Sequence, residues 1–127
     1  MGAAPVLKIV VQREESDCAI AALAMYLSES YEDVLRVVTM SDKHQGRHGL
    51  WSRTIIRIAA RLGHTLKCKR SFDWESDYGL LRMPVHIAVL RNGLVIDTNG
   101  SVWDVDEYLS HYETMASECE LLVAIED

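Results

Sequence analysis

Three cysteines, Cys18, Cys68 and Cys119, are all the chain has. An odd number without paired spacing excludes the disulfide framework of a small secreted domain. The opening residues, Met-Gly-Ala-Ala-Pro-Val, lack the charged stretch and long apolar core of a signal peptide. Gly2 is no myristoylation signal either, because Val6 stands where that motif wants Ser or Thr. No apolar run is long enough to span a bilayer. Repeats, linkers and low-complexity segments are also missing. Basic residues are outnumbered: the net charge of −6 favours solubility and argues against nucleic acid as the main partner. A reducing cytoplasm is the expected compartment, and no membrane partner is expected.

What remains is ordinary for a soluble globular chain, at 49% apolar and 25% charged residues. The 127 residues suit one domain, 1–127. A domain of this size buries roughly two-thirds of its unfolded surface and needs no staples.

Residues 6–12 read as a short leading strand. Ser16 or Asp17 is placed to cap a helix from Ala19 to Leu27, apolar almost all round and therefore buried on every side. Ser30 opens a second helix, Tyr31 to about Met40, with Asp33 at a capping-box position. Residues 41–49 form a polar loop. Ile55, Ile58, Ala59 and Leu62 give a third helix, about Leu50 to Leu62, its apolar stripe, and Gly63 stops it. A strand follows at Thr65 to Lys69. Residues 71–83 show no clear period and, with 41–49, are expected to line part of any groove.

Pro84 introduces His-Ile-Ala-Val-Leu-Arg, then Asn92-Gly93, then Leu-Val-Ile-Asp-Thr. Asn-Gly between apolar runs signals a two-residue hairpin. Asp104 begins a short helix to about Tyr112, with Glu107 completing a capping box, and Leu121 to Ile125 is a last strand. Helices first and hairpin-linked strands later predict an α+β domain with an antiparallel sheet.

The hairpin carries chemistry. A two-residue loop pairs Arg91 with Leu94, and counting outward sets Ala88 opposite Asp97 and His86 opposite Asn99. Opposed residues share a face, as does every second residue, so His86, Asp97 and Asn99 point to one side. Asp97 is diagonal to His86, within bridging reach. A slip of one residue would separate them. Upstream, Cys18 begins the buried helix. Unpaired N–H groups and the helix dipole favour negative charge there, and the thiolate is the reactive form. Oxyanion donors are available from the backbone N–H of Cys18 and the side-chain amide of Gln12. A thiol, an imidazole, a carboxylate and an amide donor are the components of a cysteine hydrolase.

Gln12, five residues, then Cys18 at a buried helix start, with His86 on a later strand and Asp97 on the next, resembles the papain-like cysteine peptidases. The Asp17-Cys18-Ala19-Ile20-Ala21-Ala22-Leu23-Ala24 run and the short chain are most similar to the bacteriocin-processing (double-glycine leader) peptidase branch. The resemblance spans about Gln12 to Asp97. Ala19 departs from the branch, where Gly is usual, and Thr98 follows Asp97 where the branch tends to have Pro. Neither removes a catalytic group. The resemblance implies a papain-like fold, with the nucleophile on a buried helix packed on an antiparallel sheet. It implies acyl transfer on a peptide or protein substrate: Cys18 attacks a carbonyl, His86 shuttles the proton, Asp97 orients His86, and Gln12 helps the oxyanion.

Taken singly, each residue has a plainer reading: Cys18 an inert core thiol, His86 a hydrogen-bonded strand histidine, Asp97 a turn-flanking carboxylate. Their company favours the functional one. Two rivals keep the same fold, a silent binding module and an acyltransferase or deamidase. No cofactor is expected. His44 and His48 have helical zinc spacing, but Gly46 between them marks a loop and no Cys pair lies near, so no metal is expected. Cys68 and Cys119 read as packed or idle thiols, and His64 and His111 as surface residues. Arg53, Arg57 and Arg61 form a solvated stripe opposite the apolar face of the third helix. Trp103, soon after Asp97, is placed to shield the His–Asp pair.

Overall fold

The structure, a computed structural model, describes residues 8–11, 18–41, 52–84 and 86–125. Gln12, the Ser16 and Asp17 caps, His44, His48, Trp51 and almost all of the 41–49 loop lie outside the described residues. Of the expected leading strand, residues 8–11 are described and are not in a strand.

Four α-helices are present among the described residues. α1 (Cys18–Leu27) carries no charge in its first or last turn and buries nine of its ten residues. It has no polar face, so it is enclosed between the sheet and the other N-terminal helices. α2 (Tyr31–Ser41) starts at Ser30, whose hydroxyl accepts the Asp33 N–H at 3.0 Å. α3 (Ser52–Arg61) buries Thr54, Ile55, Ile58 and Ala59 and turns Arg53, Arg57 and Arg61 to solvent. It ends at Gly63, φ +90°, with His64 N–H on the Ala59 carbonyl and Gly63 N–H on that of Ala60. This is the Schellman arrangement, which needs a left-handed residue at Gly63. α4 (Val105–His111) lies near the C-terminus. Asp104 precedes it without a side-chain capping bond, so the expected capping box with Glu107 is not formed.

Among the described residues six strands form one antiparallel sheet: β1 (Leu66–Lys69), β2 (Gly79–Met83), β3 (His86–Arg91), β4 (Leu94–Ile96), β5 (Val102–Asp104) and β6 (Glu120–Ala124). Their order is β1-β6-β2-β3-β4-β5. The last strand inserts between β1 and β2. The β3–β4 register is the one the Asn92-Gly93 turn dictates: Arg91 faces Leu94, Leu90 faces Val95 and Val89 faces Ile96. Both turn residues have positive φ, +53° and +75°, as a type I′ turn requires. The architecture is the expected α+β one.

β2 and β5 were not expected. β2 is a central strand buried on both faces, with only Arg82 partly open, and it lines the core rather than a groove. β3 alternates between two cores. Ile87 and Val89 join the cluster under α1, α2 and α3. Ala88 and Leu90 join the one under α4, with Val95, Tyr108 and Leu121. Among the described residues no helix is long and apolar enough to cross a membrane.

Gly79 marks where the sheet is tightest. A Cβ there would lie 2.6 Å from the Leu122 carbonyl oxygen and 3.0 Å from Leu121 Cγ. The first is backbone of a central strand and has little room to retreat. Gly79→Ala is expected to cost about 1–3 kcal/mol, measured as a lower urea midpoint with an unchanged slope.

Candidate active site

β3 delivers His86 as its first residue, opposite Met83 on β2. On β4 the ladder ends at Ile96, and the next residue, Asp97, turns the chain. Its N–H donates to the Ser101 carbonyl at 2.8 Å, and its own carbonyl accepts the Gly100 N–H at 3.0 Å. Asp97 nevertheless keeps the face that strand parity gives it. His86 Nε2 and Asp97 Oδ1 lie 2.6 Å apart. Asn99 does not continue that face: the 97–101 turn takes it out of the strand, and its side chain accepts the Ser101 N–H at 3.0 Å.

Cys18 is the first residue of α1, where backbone N–H groups lack intrahelical acceptors. Its thiol lies close enough to His86 to help hold the proton on that ring. Nε2 is committed to the carboxylate, so Nδ1 is the nitrogen left for the thiol. Residues separated by nearly seventy positions thus meet on one ring. The outcome depends on α1 packing against β3.

The electrostatics favour a charged pair. Burial alone would lower the His86 pKa, but hydrogen bonds to Asp97 and Cys18 and their negative charge outweigh it and push it up from 6.5 to about 9. Asp97 is only 2% exposed. Burial acts to raise its pKa, yet the bond to His86 and the imidazolium charge hold it below the usual carboxylate value. Thr98 N–H adds a bond to Oδ1 at 2.8 Å.

Two tyrosines of the α4 segment complete the surroundings, and sequence reasoning singled out neither. Tyr112 donates its hydroxyl to Asp97 Oδ2 at 3.3 Å and stacks on the His86 ring, centroids 5.3 Å apart and planes 16° apart. Tyr108 is fully buried, and its hydroxyl faces the same carboxylate without the alignment of a full hydrogen bond. Trp103 does not shield the pair as expected. It packs on Tyr108 and His111 and donates Nε1–H to Ser101 Oγ at 2.7 Å. The ring over the imidazole belongs to Tyr112. The one available signal was helical spacing, since Tyr108 and Tyr112 are four residues apart.

The other thiols are differently placed. Cys68 is exposed on β1, where partial burial and the Glu120 carboxylate raise its pKa. Cys119 is buried, and burial with the Glu118 charge raises it to about 11. His111 is exposed as expected, whereas His64 is half-buried and binds Glu29 at 2.8 Å, tying the end of α3 to the α1–α2 turn. A cavity of about 590 Å³, lined by Trp74, Glu75, Asp104 and Asp106 among others, opens at the Asn92-Gly93 end of β3, away from His86.

Residues 6–92 match the model of the peptidase C39 family, more than half of the chain. The chain belongs to the peptidase C39 family. The matched span contains Cys18 and His86 and stops five residues before Asp97. In three dimensions this C39 chain is similar to a double glycine motif protease from an AMS/PCAT transporter, solved in complex with the leader peptide. The TM-score is 0.64 over 94% of this chain and 93% of that one, at 17% identity. That likeness shows the papain-like fold, and it agrees with the resemblance read from the Gln12, Cys18, His86 and Asp97 pattern. No curated protein matches the sequence. By family, the chain is a cysteine peptidase.

Proposed function

We propose that the chain hydrolyses a peptide bond through an acyl-enzyme on Cys18, with His86 as proton shuttle and Asp97 as its orienting carboxylate. The observation that carries this reading is the His86 ring, held by Asp97 at 2.6 Å, with the Cys18 thiol close enough to act on its proton. The thiolate adds to the scissile carbonyl, whose π electrons move to oxygen. The Cys18 backbone N–H and the Gln12 amide are the proposed donors to that oxyanion. On collapse the imidazolium gives its proton to the leaving amine, and a thioester remains. Water, deprotonated by His86, then attacks the thioester and releases the acid and the thiolate. A proton is held at His86 before each amine departs, which suits a pKa near 9.

The solved neighbour holds a leader peptide. A leader peptide with a double-glycine motif is therefore the first substrate to offer. A reducing cytoplasm suits the three free thiols.

The test is limiting iodoacetamide across pH, read by intact mass and followed by mapping of the modified cysteine. Cys18 is expected to react much faster than the other two thiols and to lose that reactivity in His86→Ala. Cys68 and Cys119, both raised, are expected to lag at every pH below 8. Equal labelling of all three would overturn the reading and favour a silent binding module.

A further inference from the structure

The hydrogen bond to Asp97 fixes one atom of the His86 ring but not its plane. A ring held only at Nε2 can still pivot about the Nε2···Oδ1 line, which swings Nδ1 away from the thiol. A second constraint is needed, and helix α4 brings one. Tyr112 covers the imidazole face at 5.3 Å with the planes 16° apart, and its hydroxyl reaches the second oxygen of Asp97 at 3.3 Å. It touches both members of the pair at once.

Tyr112 is itself held in place. It is the residue that ends α4, with φ −94° and ψ 7°. Its N–H donates to the Tyr108 carbonyl at 3.2 Å, and the chain then turns through Glu113 at φ +51°, closed by Thr114 N–H on the Leu109 carbonyl at 2.9 Å. Its ring packs against Tyr108 at 5.0 Å and edge-on to His111 at 4.9 Å. Tyr108, fully buried, is the fixed wall behind it.

We propose that Tyr112 is a positioning residue of this site: it stacks on His86 and donates to Asp97, and so holds the imidazole in the plane that serves Cys18. The proposal rests on the reading of Cys18, His86 and Asp97 as a peptidase triad. It makes the C-terminal turn of α4 part of the machinery.

The two contacts have separable consequences. Stacking orients the ring, and an imidazolium over a phenol face is also attracted to it. The hydroxyl draws negative charge on Asp97 toward itself and so tempers how strongly the carboxylate holds the imidazolium proton. Among the described residues the groups facing His86 are Asp97, Cys18 and Tyr112, with Tyr108 behind the carboxylate. Tyr112→Phe keeps the stack and removes the donor. His86 should then bind its proton more tightly. Tyr112→Leu removes both contacts.

The test uses the full chain with labelled histidine, whose ring signals are titrated by NMR, alongside steady-state cleavage of a double-glycine leader peptide. In Tyr112→Phe the His86 midpoint is expected to rise by about half a pH unit, and the alkaline limb of kcat/KM to rise with it. In Tyr112→Leu kcat is expected to fall about 10- to 100-fold with KM little changed. An unmoved His86 midpoint in Tyr112→Phe overturns the proposal, because a merely structural phenol would leave it there. If the unmodified chain cleaves nothing and its Cys18 labels slowly, the peptidase reading fails. The histidine titration still decides whether Tyr112 acts on the pair.

Discussion

Cys18→Ser is expected to bring peptide cleavage down by about 10⁴-fold or more. The change is small in volume, yet it removes the nucleophile this site is built to use. A thiol gives up its proton to a neighbouring imidazole near neutral pH, and a serine hydroxyl does not. The arrangement around His86 is that of a stored ion pair: an imidazole with a pKa of about 9 between a carboxylate and a thiol. With serine the imidazolium loses the thiol's share of what raises its pKa. Its proton would then be held less tightly, and the His86 titration should move down from its wild-type position. The fold should survive, since Cys18 is 5% exposed at the edge of the core and a hydroxyl there still has His86 as partner. Cleavage kinetics, a histidine titration and a thermal melt on the same preparation make the case. Cleavage within tenfold of wild type, with normal melting, would remove Cys18 from the mechanism.

The contrast between Cys18 and its surroundings shows what a linear reading can hold. The hairpin was legible because its determinants are local: Asn92 and Gly93 accept positive φ at little cost, the loop has two residues, and the pleat has period two. From these alone the register follows, and with it the meeting of His86 and Asp97. α1 was legible because a helix without a polar face has only one place to go. Three features were not legible, each for a physical reason. β2 is covered on both sides, so Gly79-Leu80-Leu81-Arg82-Met83 shows no alternation to read. Asn99 does not continue the face of His86 and Asp97 because the ladder ends early. The Asp97 N–H turns to Ser101, and that bond competes with continued pairing. Tyr112 was missed because its role depends on how α4 docks across the sheet, a long-range contact that no spacing along the chain records. Trp103 was preferred as the shield for its nearness in sequence to Asp97, but parity along β5 gives its ring to Tyr108 and His111.

Asp97 offers the sharpest separation of charge from orientation. Asp97→Asn keeps an oxygen that can accept the His86 Nε2–H but removes the negative charge. Burial, which by itself lowers the His86 pKa, would then be opposed by the thiol side alone. The pKa should fall from about 9 toward or below its ordinary 6.5, and the alkaline limb of kcat/KM should follow it down by at least about one pH unit. Near neutral pH the loss in kcat/KM should be about 10- to 100-fold. Asp97→Ala removes orientation as well. It leaves His86 Nε2, Thr98 N–H and the Tyr112 hydroxyl without their shared acceptor in a closed site. The expected loss is about 10³- to 10⁴-fold, with about 3–5 kcal/mol of stability. The signs in the unmodified protein are fixed by the same shifts. The raised His86 contributes stability that is complete below pH 6.5 and is lost as pH rises through about 9. The lowered Asp97 contributes stability present above pH 3.8 and lost as pH falls through its lower folded value. Between pH 3.8 and 6.5 both contributions are complete, so urea midpoints should be flat there and fall beyond each end. In Asp97→Asn the alkaline fall should disappear. If it persists unchanged, the carboxylate charge is not what raises His86, and the ion-pair account of this site fails with it.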